Sequence, residues 1–94
     1  MDAECTRLVN LLGTGERNKI SRKTLANLLG VCDREMRDAV KRAQLEKVPI
    51  VNFGGGYYIC ENLNEMLGYI RRERKRSSSI NEKCDRLLYT EWFD

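Results

Sequence analysis

The chain has 94 residues, 41% of them hydrophobic and 33% charged, which suits one small globular domain and excludes a two-domain enzyme. Seventeen Lys and Arg against 14 Asp and Glu leave a formal net charge of +3, so total charge alone does not announce a polyanion partner. Histidine is absent, which removes the usual general base and the usual zinc partner, and Cys5, Cys32, Cys60 and Cys84 share no CxxC-like spacing. The expectation is a cytoplasmic protein with reduced thiols, no cofactor and no metal. No signal peptide or membrane-spanning run is read, so no membrane partner is expected.

Residues 1–13 read as a short amphipathic helix with Leu8, Val9, Leu11 and Leu12 on its apolar side, ended by Gly13 and Gly15. It is expected to pack as the first helix of a three-helix core. Thr14 to Lys19 is a polar loop, and Lys19 and Ile20 are placed to add a short strand beside a later hairpin. Ser21 is an N-cap for a second helix that carries Leu25, Leu28 and Leu29 at helical spacing. Gly30 supplies the left-handed residue that stops it, with Val31 as its apolar partner.

A third helix begins at once, with Cys32 at the N-cap position and Glu35 at the capping-box position. Met36, Ala39, Val40 and Ala43 form its apolar stripe, which leaves Arg34, Arg37, Asp38, Lys41 and Arg42 largely exposed. Asp33–Arg37, Arg34–Asp38 and Asp38–Arg42 sit at i,i+4, so surface ion pairs are one reading of these charges. Pro49 to Phe53 reads as a strand, Gly54-Gly55-Gly56 as a turn and Tyr57 to Cys60 as the return strand. Tyr57 and Tyr58 point to opposite faces, one of them expected in the core and the other exposed.

From Asn62 the chain turns helical again, with Asn62 and Glu65 as a second capping pair and Leu63, Met66, Leu67 and Ile70 as the stripe. The basic run Arg71-Arg72-Glu73-Arg74-Lys75-Arg76 follows, then three serines that weaken or break the helix. Ile80, Cys84, Leu87 and Leu88 resume a stripe, and Tyr89, Trp92 and Phe93 come close to the end. That aromatic tail either folds back on its own domain or pairs with a second copy, and the dimer through this C-terminal helix is preferred. The division is residues 1–60 as one unit and residues 61–94 as a helical extension.

Two helices joined by a short turn around a glycine make a helix-turn-helix, and a β-hairpin directly after it makes a winged helix. The fold class is therefore mainly α with a small β-hairpin: a three-helix core, a wing and a C-terminal helical extension. Leu25-Ala26, Leu28 to Val31, the charged third helix, Pro49-Ile50 and Gly56-Tyr57-Tyr58 occur in an order that resembles two groups. These are the small winged-helix proteins of phages and prophages of Gram-positive bacteria and the N-terminal DNA-binding domain of biotin-ligase-type repressors. The resemblance covers roughly residues 7 to 76. It implies a double-stranded DNA partner and a role as transcriptional regulator or replication accessory.

In such a protein the third helix enters the major groove. Arg34 and Arg37 would read bases there, since arginine pairs bidentately with the O6 and N7 edge of guanine, with Lys41 as a third contact. Arg22 and Lys23 at the second helix N-terminus, Arg42, and Arg71, Arg72, Arg74, Lys75 and Arg76 would hold phosphates. The wing offers Asn52 and three glycines instead of the cations common at wing tips. Its glycines serve either a backbone contact to phosphate or only a tight turn. The alternative function is a winged-helix adaptor or a phage-encoded inhibitor that grips a host protein, since fold alone does not decide function. Asp33, Glu35 and Asp38 on the third helix suit that reading. An enzyme is not expected, because no nucleophile–base spacing, P-loop or dinucleotide fingerprint is present.

Overall fold

A computed structural model describes residues 1–76, apart from the side chains of Arg74 and Arg76, and residues 86–93. The serine run and the stripe positions Ile80 and Cys84 lie outside the described residues. Three helices come first: α1 (Ala3–Leu11), α2 (Arg22–Leu29) and α3 (Asp33–Leu45). An antiparallel hairpin of β1 (Ile50–Phe53) and β2 (Gly56–Ile59) follows, then α4 (Leu63–Arg76). Three packed helices, a two-strand hairpin and a C-terminal helix give a mainly α, winged-helix-like topology. No helix among the described residues is long and apolar enough to cross a membrane.

Local chemistry sets the boundaries. Asp2 caps α1 by accepting from the Cys5 N–H at 2.8 Å, and Ser21 caps α2 by accepting from the Thr24 N–H at 3.3 Å. α2 closes in a Schellman motif. Gly30 is left-handed at φ 72°, its N–H donates to the Asn27 carbonyl, and the Val31 N–H donates to the Ala26 carbonyl. The end of α3 repeats the motif with Lys47 at φ 70° and with the Val48 N–H on the Ala43 carbonyl. The α3 start differs from the capping-box expectation. Cys32 makes no side-chain cap bond, and its thiol instead donates to the Glu35 carboxylate at 3.2 Å. Sulfur is a weak acceptor, so the carboxylate accepts the thiol's hydrogen bond in place of a reciprocal cap.

The polar segment after α1 is not wholly irregular, because Glu16–Asn18 forms one 3-10 turn. Ile20 bridges Tyr57 on β2 through a reciprocal pair of backbone bonds at 2.9 and 2.8 Å. Gly13 and Gly15 pair with Ile59 further along, so β2 lies between β1 and this segment and its edge is satisfied. The hairpin turn is the two residues Gly54 and Gly55, at φ 66° and 83°, as a type I′ turn requires. Gly56 belongs to β2, where a Cβ would meet the Ile20 carbonyl oxygen at 3.0 Å. All three wing glycines thus answer backbone demands.

The hairpin separates two cores. Leu8, Leu25, Leu29, Met36, Ala39 and Ile50 make the first, between the three helices and one hairpin face, with Tyr57 pointing into it. Val51, Tyr58 and Cys60 point the other way and meet Met66, Tyr69, Ile70 and Leu87. Tyr58, expected to be exposed if Tyr57 was buried, is only 2% exposed because α4 covers the outer face. Leu87 is fully buried in this second core and Phe93 packs on it, so these tail residues fold back on their own chain. The Thr90 hydroxyl donates to the Lys47 carbonyl at 2.6 Å and fastens the tail to the end of α3. Tyr89 and Trp92 stay 74% and 46% exposed.

Candidate nucleic-acid interface

The exposed ridge of α3 has two flanks of opposite character. With about 3.6 residues per turn, Arg34 and Lys41 share its crest, Arg37 leans to one side, and Asp38 and Glu35 to the other. Arg37 and Lys41 border a cleft of about 350 Å³ between α3 and α4, floored by Asn52 and Tyr57 and closed by Tyr69 and Glu73. On the far flank, Glu4, Glu35 and Asp38 surround Lys41 and Arg42 in a concavity between α1 and α3. The cleft on the hairpin side of α3 thus carries more cations than acids, and the concavity on the α1 side more acids than cations.

The cations differ in what holds them. Arg34, Lys23 and Lys41 are exposed with no ion-pair partner among the described residues. Asp33 takes Arg22 at 3.0 Å and Arg37 at 3.0 Å, so the Asp33–Arg37 pair read from the sequence is present and extends to α2. Arg42 does not pair with Asp38. It reaches Asp2 at 3.1 Å and Glu4 at 2.7 Å on α1, because those carboxylates lie across the helix interface from it. The Cys5 N–H, accepted at the cap, does most to hold the Asp2 carboxyl below its usual range; burial opposes this and Arg42 adds to it. A phosphate at Arg42 would meet a guanidinium already held by two carboxylates on the acidic flank. Arg34–Asp38, the remaining i,i+4 reading, forms no ion pair among the described residues.

At the wing, cations arrive from elsewhere in the chain. The Arg72 guanidinium lies over the exposed Phe53 ring, 3.9 Å from its centroid. Lys19 Nζ lies within 2.9 Å of where a Gly54 Cβ would be, with Glu16 beside it. Lys19 is readable from the sequence only as a loop cation within reach of phosphate, and the place of Lys19 and Phe53 at the hairpin tip is set by the bridge at Ile20 and the packing of α4. Asn52 is exposed on β1 and lines the cleft. Arg71 and Lys75 are exposed on α4, where they border an apolar groove with Leu67, Ile70 and Leu88. Arg71 thus lies one residue from the wing cation Arg72 but borders a different concavity. The side chains of Arg74 and Arg76 lie outside the described residues.

Two further contacts fix the frame under these groups. Arg7 donates to the Leu29 carbonyl at 3.2 Å and satisfies the C-terminal end of α2. The buried Gln44 amide donates to the Ile50 carbonyl at 2.7 Å and ties α3 to β1. Among the described residues no group of three or more Cys, Asp or Glu side chains converges on a point that could hold a metal ion. Cys5 and Cys60 are buried free thiols and Cys32 an exposed one. No family model, curated protein or solved structure matches the chain.

Proposed function

We propose that the chain is a double-stranded DNA-binding protein of the winged-helix type, acting as a transcriptional regulator or replication accessory of the phage kind. The observation that carries this reading is the cationic crest of α3, Arg34 and Lys41, which have no ion-pair partner among the described residues, beside Arg37 on the hairpin side. Arg34 and Arg37 read base edges, Arg22 and Lys23 hold the flanking phosphates at the α2 N-terminus, and Arg72 and Lys19 meet the backbone at the wing.

Substitution separates the roles. Arg37→Ala should abolish preference for one duplex over its scrambled form, whereas Arg72→Ala should weaken both equally and flatten the salt dependence by about one contact. Equal losses on every sequence from both changes would contradict the assignment.

A protein partner is the second reading, favoured by the acidic concavity of Glu4, Glu35 and Asp38 and by the exposure of Tyr89 and Trp92. It implies weak duplex binding that salt removes completely and that Arg34→Ala and Arg37→Ala reduce without any change of preference.

A further inference from the structure

One carboxylate joins the first turns of α2 and α3. Asp33 Oδ1 accepts from Arg22 Nε and Oδ2 accepts from Arg37 Nε, each at 3.0 Å. Both arginines are well exposed and Asp33 is partly so, a setting in which ion pairs add little to stability beyond what the Asp33 charge itself lends the first turn of α3. Asp33 also places a negative charge where phosphates would approach, which by itself opposes DNA binding. Its geometry supplies a compensating effect. A guanidinium carries five donors in a rigid fork, and an oxygen at Nε leaves donors on the outer edge for a second acceptor. Long, exposed arginines otherwise lose side-chain entropy when they settle on a base.

We propose that Asp33 is a positioning residue. It holds Arg37 in the direction of the bases and Arg22 in the direction of a flanking phosphate before DNA arrives. The role rests on the DNA-binding reading above and adds to it the source of specificity: discrimination comes from a pre-aimed arginine pair, and part of the general attraction is given up to obtain it.

Glu35 provides the control, because it also carries a negative charge in the first turn of α3 but pairs with no arginine among the described residues. Binding of fluorescent duplexes is measured for the intact chain and for Asp33→Ala, Glu35→Ala and Asp33→Glu, on a selected duplex and its scrambled form. Both alanine variants should bind the scrambled duplex more tightly and with a steeper salt dependence. Only Asp33→Ala should lower the ratio of selected to scrambled affinity, by about tenfold, the weight of one bidentate base contact. Asp33→Glu, which keeps a carboxylate within reach, should recover part of that ratio. A preferred duplex whose ratio survives Asp33→Ala, or rises, overturns the positioning role alone, and a rise would show Asp33 restraining the arginines. An intact chain that prefers no duplex overturns the DNA-binding reading and this role together.

Discussion

The Thr90 hydroxyl donates to the Lys47 carbonyl at 2.6 Å, so the last residues of the chain are latched to the turn that ends α3. That latch lies next to the second core, in which Leu87 is fully buried with Tyr58 and Met66. The tail thereby becomes part of the platform beneath the hairpin, and its packing can be tested.

Leu87→Ala should cost about 2–5 kcal/mol, the range for emptying a fully buried leucine position. Urea unfolding measures it, and the loss should be the same at low and high protein concentration because the cavity is intramolecular. A loss that shrinks as concentration rises would place Leu87 in a contact between copies instead.

Lys47 adopts φ 70°, which glycine occupies without strain and a side-chain-bearing residue does not. Lys47→Gly should therefore stabilise the fold by about 0.5–1 kcal/mol after the greater chain entropy of glycine is counted. The readout is the urea midpoint at unchanged slope. A destabilised variant would mean that the lysine side chain contributes more than the strain it carries.

Apart from the Cys32 cap of α3, the caps were legible in the sequence because each is decided within a few residues. Ser21, Gly30 with Val31, and Asn62, which accepts from the Glu65 N–H at 2.9 Å, all perform the expected roles. What could not be read was set by distant partners. Tyr58 is buried because α4 lies over it, Arg42 turns to Asp2 and Glu4 on α1, and the wing takes its cation from Arg72. The α3 cations were visible as residues, but the split into a basic and an acidic flank needed the placement of α1 and the hairpin.

Phe53→Ala should weaken binding to all duplexes by a similar factor and leave sequence preference unchanged, because the ring only seats Arg72 at the wing. Lost stability should stay near 1 kcal/mol, as expected for an exposed cation–π contact. Fluorescence anisotropy on the selected and scrambled duplexes reads the first effect. A change in preference would move Phe53 into direct contact with DNA.

Burial pushes the Cys60 thiol up to about 12, with Glu65 adding to the rise and Arg72 opposing it. Burial likewise raises Cys5 and Tyr58. These groups keep their protons in the folded chain while the unfolded chain releases them, around the ordinary values of 9.0 for the thiols and 10.0 for the phenol. Their contribution is complete below those values and is lost as pH climbs towards the folded values. Urea midpoints should fall on alkaline titration, and less steeply in Cys60→Ala. An identical slope in that variant would remove Cys60 as a cause. At neutral pH a thiol reagent should modify exposed Cys32 readily and reach Cys5 and Cys60 only on unfolding.

Selection from a pool of random duplexes at two salt concentrations, with the mass of the bound species recorded, tests the DNA-binding reading most directly. The cationic crest of α3 predicts an enriched motif that survives the higher salt and disappears in Arg34→Ala and Arg37→Ala. Binding that vanishes with salt and enriches nothing would contradict it and leave charge attraction alone.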